Sequence, residues 1–471
     1  MSVTANDRKA IANATASARA RIAALLDEGS FLEVGTFVAR RPTEFDLTSP
    51  GAPAEGVVTG WGTVDGAPVC VFAQDAAALG GAMSEMQAKK ITILYEYALK
   101  TGVPIVGIFD SKGVRLAEGV DALNGYASVI ASARAASGVV PQIAIIAGGC
   151  GGAAALFASQ FDFRIALDKG EVFMHSPTVL SATLKKPEQS AAGKAAVERG
   201  LADFAAASEE EAAEIAKTLL SYLPSNNAGD KNYAVTTDDL NRQIDVSATD
   251  NGKPEAVLAQ IADNGAYFAV APDYAPAVFT AFARFDGESV GVLGAYDVLD
   301  RKACEKAAQF VDFCDAFGIS LLTIVNASGF AVAEDFENNG GVAAAAALAA
   351  SYADAGIATV TLITGKAVGS AYVALGAKGL GSDLVFAWPS AEIGALSAEA
   401  AVSLFASDAF KDAPNPLEAR ERLVAEYAAK VASPLETAKR GYVDEIIEPA
   451  ATRQVVTYAL GLLSTKIPIN N

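Results

Sequence analysis

The sequence predicts an α/β protein built from two copies of one unit, on three observations. Similar runs recur in the same order at an offset of about 216 to 236 residues, too long for a solenoid and right for a domain duplication. Within each copy, short strands rich in β-branched residues alternate with helical stretches, the pattern of βα units around a mostly covered sheet. The chain of 471 residues also exceeds what one hydrophobic core usually serves.

Residues 1–29 read as an amphipathic helix with charges of both signs, so no secretion signal is visible. In the first copy LDEGSFLEV (26–34) precedes GTVDGAPVCVF (62–72), a helix through AKKITILYEYALKTG, and the strand PIVGIFD ending at Asp110. In the second, ADNGAYFAV (262–270) precedes ARFDGESVGVL (283–293), the helix CEKAAQFVDFCDAFG, and the strand SLLTIVN ending at Asn326. QIAIIAGGCGGAA (142–154) then answers TVTLITGKAVGSA (359–371), and FDFRIALDKGEVFMHSP (161–177) answers SDLVFAWPSAEI (382–393). The polar, turn-rich LPSNNAGDKNYAVTTDDLNRQ (223–243) holds the boundary, giving domains 1–232 and 233–471. The apolar run GGVAAAAALAASYA (340–353) stops at Asp354, short of the about 18 to 20 residues of a membrane span, and reads as a buried helix without membrane insertion.

A net charge of −19 argues against a general nucleic-acid or anionic-membrane surface, while leaving room for an anionic small ligand met by a local basic cluster. Cys70, Cys150, Cys304 and Cys314 form no CxxC pair, and His175 is the single histidine. Neither a metal site nor a disulfide framework is expected, and a reduced cytoplasm is the expected compartment.

The stretch AGGCGGAAALF (147–157) follows a strand and opens a helix, so its backbone N–H groups face a phosphate, a dinucleotide or a developing oxyanion. GCGGAA (149–154) fits G-x-G-x-x-A, with Asp168 downstream as a ribose-binding acid, which keeps a NAD-dependent oxidoreductase as an alternative. Against it stand the loop's place deep in the domain, the short helix that follows, and the copy GKAVGSAY, which drops the fingerprint. No P-loop pattern occurs at this site. The bland reading, tight strand–helix packing alone, is weakened by a second glycine-containing strand end in each copy, SKGV after Asp110 and ASGF after Asn326. Two backbone turns per copy would supply the two donors of an oxyanion hole, and two copies would make two holes.

Read together, GVVTGWGTVDGAPVCVFAQDAAALGGAMSEMQAKKI, DSKGVRLAEGVDALNGY, SGVVPQIAIIAGGCGGAA, LLSYLPSNN, RKACEKAAQFVDFCDAFGI, ASGF, ITGKAVGSAY, FAWPSAEI and GYVDEIIEP resemble the carboxyltransferase subunits of biotin-dependent acyl-CoA carboxylases and decarboxylases over nearly the whole chain. The resemblance implies a duplicated crotonase-like fold of two homologous domains and transfer of a carboxyl group between biotin and the α-carbon of an acyl-CoA. It further implies a site shared between subunits, hence a homo-oligomer, a dimer or a trimer of dimers. Such chemistry needs the enolate oxygen of the thioester and the biotin ureide oxygen both stabilised, a demand that two sets of backbone donors meet.

By the same resemblance Gly113, Val114, Gly152 and Ala153 would hold the acyl-CoA carbonyl, and Gly329, Phe330, Gly369, Ser370 and Ala371 the biotin carbonyl. Gly80, Gly81 and Ala82 occupy a loop near the CoA path, and Lys89, Lys90 and Arg115 are expected as partners of CoA phosphates, with ordinary solvated charge as the alternative. The chain departs from the family at Lys112, usually glycine, at Val114, usually alanine, and at His175, usually small or neutral. Val373 stands where relatives selecting propionyl-CoA tend to carry an acid. Methylmalonyl- or propionyl-CoA is the first choice of substrate, with malonyl-, acetyl- or glutaconyl-CoA next. The methionines, Met1, Met83, Met86 and Met174, build no biotin-accepting AMK-type hairpin, and no ATP-grasp domain fits the length. The expected partners are therefore a separate biotin carboxyl carrier protein and either a biotin carboxylase or a membrane decarboxylase subunit. A non-catalytic CoA-binding assembly subunit is the second class of reading.

Overall fold

The computed structural model describes residues 5–39, 53–185, 190–411 and 413–466. The chain divides into two compact units, Met1–Asp230 and Lys231–Asn471. The first opens on two helices, Ala5–Ala14 and Ala16–Leu25, because Thr15 leaves helical geometry where the sequence suggests one continuous helix; residues 1–4 of that stretch lie outside the described residues.

The first unit carries strands β1 (Leu32–Val34), β2 (Val57–Val64), β3 (Ala67–Gln74), β4 (Ile105–Ser111), β5 (Gln142–Gly151), β6 (Phe163–Leu167), β7 (Val172–Phe173) and β8 (Phe204–Ala206). They order as β1-β2-β3-β4-β5-β6-β8, with β7 beside the end of β5. The second carries β9 (Tyr267–Val270), β10 (Val278–Phe285), β11 (Glu288–Leu299), β12 (Leu321–Phe330), β13 (Thr359–Val368), β14 (Leu384–Ala387), β15 (Glu392–Gly394) and β16 (Glu445–Ile446). Its order is β9-β10-β11-β12-β13-β14-β16, with β15 beside β13. In each sheet the first three strands pair antiparallel and the rest parallel, so one topology is written twice.

The local chemistry repeats too. Asp65-Gly66 and Asp286-Gly287 take positive φ and close the β2–β3 and β10–β11 hairpins, as the Asp-Gly signal requires. The following crossover helices, Glu85–Thr101 and Arg301–Ala316, are capped by Ser84, whose side chain accepts from the Gln87 N–H, and by Asp300, which accepts from Ala303. Phe72, Phe109, Phe157 and Phe161 fill the first core with edge and stacked contacts. Val292, Leu322, Ile324, Val360 and Leu362 are central to the second. The alanine-rich run forms the helix Gly341–Asp354, which buries one face through Ala344, Leu348 and Tyr352 and leaves Val342 exposed, so it is half rather than wholly covered. Among the described residues no helix is long and apolar enough to cross a membrane.

A buried lysine recurs at one position of the repeat. Lys90 donates to the carbonyls of Ala54 (2.9 Å) and Val57, and Lys306 donates to those of Ala271, Tyr274 and Val278 (2.8–2.9 Å). Both sit against turns in which an alanine, Ala54 or Ala275, is left-handed. The turns leave carbonyls outside the sheet ladder, and the ammonium groups satisfy them. Burial pulls the Lys90 ammonium down to about 8, whereas the unfolded chain keeps it near about 10.4. Between those values the unfolded state binds more protons, so stability carried by Lys90 rises with pH across that window. Urea denaturation at about pH 7.5 and about pH 10.5 should show the stability of wild type relative to Lys90→Met increasing by up to about 3 kcal/mol; a difference that does not move with pH would contradict this placement.

Candidate active site

The C-terminal ends of the central parallel strands carry the glycine turns of each unit. In the first, β4 and β5 are in register up to Phe109 and Ile146, slip, and re-pair at Ser111 and Cys150. Beyond the slip Gly113 adopts φ +103°, with its N–H donating to Ser111 Oγ at 3.1 Å. Its carbonyl accepts from the Met83 N–H at 2.8 Å, and the Arg115 N–H donates to the Met83 carbonyl at 2.9 Å. Both neighbours of Val114 are thus pinned to Met83, and the Val114 N–H has no acceptor among the described residues. The Val114 side chain packs on the core of the unit.

The second turn stands beside the first. Gly152, at φ +58° and ψ −122°, donates its N–H to the Phe173 carbonyl at 2.9 Å and starts the helix Ala153–Ala158. The first helical N–H, at Ala153, has no intrahelical acceptor. Of the four glycines in AGGCGGAAALF, Gly152 is the one required by backbone conformation. A Cβ at Gly148 would lie 2.1 Å from Asp110 Oδ1, one at Gly151 2.2 Å from the Phe173 ring, and one at Gly149 3.2 Å from the Ser111 carbonyl. Close packing explains those three. Gly80, Gly81 and Ala82 stack on the same turn, since the Lys112 N–H donates to Gly80 O at 2.9 Å and a Cβ at Gly81 would lie 2.0 Å from Asp110 O.

The second unit repeats the plan with other side chains. Gly329 takes φ +141°, Phe330 stacks on Phe336 at 5.6 Å, and the Ala331 N–H donates to Leu299 O at 2.9 Å, as Arg115 does to Met83. Gly369, at φ +65°, opens the helix Gly369–Ala374, with Ser370 exposed, Ala371 buried and Val373 half exposed. Asn326 replaces Asp110, and its Oδ1 would lie 2.2 Å from a Cβ at Gly365, the counterpart of Gly148.

The expected basic residues separate. Lys89 and Lys112 are exposed. Lys90 and Arg115 are 3 % and 6 % exposed, the first spent on carbonyls and the second ion-paired to Glu55 (2.7 Å) and Glu118 (3.0 Å), so burial takes both out of reach of a solvent-borne phosphate. Glu55 and Glu118 escaped the sequence reading; the spacing of Arg115 and Glu118 hints at a pair, but nothing near Glu55 marks it as buried. His175 is exposed in the turn after β7. Burial pushes the Cys150 thiol up to about 12, which leaves no thiolate in the glycine loop. Among the described residues no group of three or more His, Cys, Asp or Glu side chains is arranged to hold a metal ion. What the turns offer is backbone N–H groups, suited to an oxyanion.

The carboxyl transferase domain matches the sequence over residues 11–469. The chain belongs to the carboxyl transferase family. It is 38% identical over 467 residues to the methylmalonyl-CoA decarboxylase subunit alpha of Propionigenium modestum, covering 96% of this chain and 90% of the relative. It is equally 38% identical over 479 residues to the propionyl-CoA carboxylase beta chain of Saccharopolyspora erythraea, covering 96% and 88%. The fold superposes on a transcarboxylase 12S crystal structure containing hydrolysed methylmalonyl-coenzyme A with a TM-score of 0.93 and 35% identity, covering 99% of this chain and 96% of that one. The resemblance drawn from the motifs therefore holds, and the fold is the duplicated crotonase-like one. The chain is a carboxyltransferase of the type found in biotin-dependent acyl-CoA carboxylases and decarboxylases.

Because a Cβ at Gly81 meets a backbone oxygen and the residue sits at φ +64°, Gly81→Ala must move the Asp110–Gly113 turn. Chemical denaturation should show a loss of about 2–3 kcal/mol, accompanied by loss of turnover; wild-type stability would mean that this loop does not brace the turn.

Proposed function

We propose that this chain is the carboxyltransferase subunit that moves a carboxyl group between a short-chain acyl-CoA and biotin on a separate carrier protein. Methylmalonyl- or propionyl-CoA is the first choice of substrate, because its relatives include a methylmalonyl-CoA decarboxylase subunit and a propionyl-CoA carboxylase chain. Biotin, when bound, supplies the nitrogen that takes up or gives the carboxyl group. The chain's part is electrostatic. The N–H groups of Val114 and Ala153 hold the thioester oxygen as breakage of the C–C bond to the carboxyl group turns it into an enolate. In the second unit Gly329, Phe330 and the helix start at Gly369, Ser370 and Ala371 present the equivalent donors to the ureide oxygen. Preorganised donors aimed at a developing oxyanion are worth more in the transition state than in the ground state, which is the condition for catalysis.

The observation carrying this reading is the Val114 N–H, held between two backbone bonds to Met83 while itself unspent. Domains 1–232 and 233–471 are assigned the acyl-CoA side and the biotin side. A homo-oligomer, dimer or trimer of dimers, fits the exposed apolar residues flanking the first turn: Leu116 is 89 % exposed, Val120 and Leu123 follow it in the chain, and Leu79 precedes the Gly80 whose carbonyl accepts from Lys112. A biotin carboxyl carrier protein and a biotin carboxylase or membrane decarboxylase subunit complete the cycle.

Purified protein incubated with free biotin and methylmalonyl-, malonyl- or glutaconyl-CoA should release the carboxyl group in a biotin-dependent reaction, fastest from methylmalonyl-CoA. Absence of biotin-dependent loss from all three would contradict the reading. Thermal stabilisation by CoA without turnover would instead indicate a CoA-binding assembly subunit.

A further inference from the structure

The buried charges behind the first turn have no part in the mechanism above. Arg115 Nη1 donates to Glu55 Oε2 at 2.7 Å and to Glu118 Oε1 at 3.0 Å, and Glu55 is fully buried. Both carboxylates reach onward to the start of the helix Glu85–Thr101. Glu118 Oε2 accepts from the Glu85 N–H at 2.8 Å, and Glu55 Oε2 accepts from the Ser84 hydroxyl at 2.6 Å. The Gln87 side chain adds a bond to the Glu55 carbonyl at 2.9 Å. Met83, which holds both neighbours of Val114, immediately precedes this helix start. The side-chain network and the backbone ladder therefore close one ring, with Met83–Ser84 on one side and Val114–Arg115 on the other.

The network is a poor device for stability. Burying three charges carries a large desolvation cost before pairing offsets it, and an apolar replacement is often as stable. Arg115 Nε and Nη2 and Glu55 Oε1 are buried without a partner among the described residues, which adds to the cost. Ala54 and Glu55 are also both left-handed, at φ +50° and +58°. Such strain persists where the surroundings over-determine it, and it clusters at functional sites. The second unit keeps the left-handed alanine, Ala275, but builds the same backbone without the buried charges: Ala331 occupies the repeat position of Arg115, Pro276 that of Glu55, and Glu334, at the position of Glu118, is exposed.

We infer that Arg115 is a positioning residue: clamped by Glu55 and Glu118, it fixes the backbone that aims the Val114 N–H at the thioester oxygen. This replaces a CoA-phosphate role for Arg115 and rests on the oxyanion reading of the Val114 turn. The asymmetry follows from the chemistry each unit is assigned. The first turn faces charge that appears only during the reaction, where a small misplacement of a donor is expensive.

Amide hydrogen exchange and steady-state kinetics on the full chain test it, using Arg115→Met, Arg115→Lys, Glu55→Gln and the double variant Arg115→Met/Glu55→Gln. In Arg115→Met the peptide spanning 111–118 should exchange faster than in wild type, while that spanning 327–333 stays unchanged. With methylmalonyl-CoA and free biotin, kcat should fall roughly 10- to 100-fold while KM for methylmalonyl-CoA stays within about twofold. Arg115→Lys should recover part of the rate, and the double variant should lose little more than Arg115→Met alone, because the pair acts as a unit. Unchanged exchange at 111–118, a raised KM at unchanged kcat, or additive losses would each overturn the inference. Wild type inert toward every acyl-CoA offered would sink the functional reading, and the exchange comparison would still decide the positioning role.

Discussion

Everything at the first site depends on one short backbone ladder. Met83 accepts from Arg115 and donates to Gly113, and the alternation of a parallel bridge then leaves the Val114 N–H pointing away from Met83. A substitution at position 114 changes the side chain, which faces the core, and leaves the donor alone. The cost of an unsatisfied N–H is accepted where the reaction itself supplies the acceptor.

The two units express one plan with different chemistry. Lys90 and Lys306, the Asp-Gly hairpins, the capped crossover helices, and the pairs Asp110 with Gly148 and Asn326 with Gly365 repeat almost position for position. What changes is polarity around the turns. The first unit surrounds its turn with Arg115, Glu55, Glu118 and the Arg21–Asp110 ion pair at 2.9 Å, while the second has Ala331, Pro276 and Asn326 at the positions of Arg115, Glu55 and Asp110, and an exposed Glu334 at that of Glu118. Duplication followed by such divergence suits two carbonyl ligands of unlike charge development, an enolate in one case and a ureide in the other.

Much of this was legible in the sequence because it is written in backbone terms. The repeat offset, the Asp-Gly turns and the Gly152 and Gly369 strand ends depend on residue types with narrow conformational meaning, and these are visible without coordinates. Side-chain burial is not. Lys90 and Arg115 read as candidates for phosphate contact because a lysine in a helix and an arginine in a loop are usually solvated. Their partners, the carbonyls of a left-handed turn and the buried Glu55, come from segments 33 and 60 residues away and leave no local signature. The glycine loop is only half legible for the same reason: Gly148 and Gly151 are excluded from bearing side chains by Asp110 and Phe173, contacts made only once the sheet forms.

The central claim is that the backbone N–H of Val114, together with that of Ala153, stabilises the thioester enolate. Replacing Val114 by its α-hydroxy analogue, so that an ester stands where the amide was, removes that hydrogen and keeps the side chain, while weakening the Gly113 carbonyl as acceptor of the Met83 N–H. The account predicts about a 100-fold fall in kcat with KM for the acyl-CoA nearly unchanged, the signature of a donor used in the transition state. Wild-type kcat in the ester variant would contradict it.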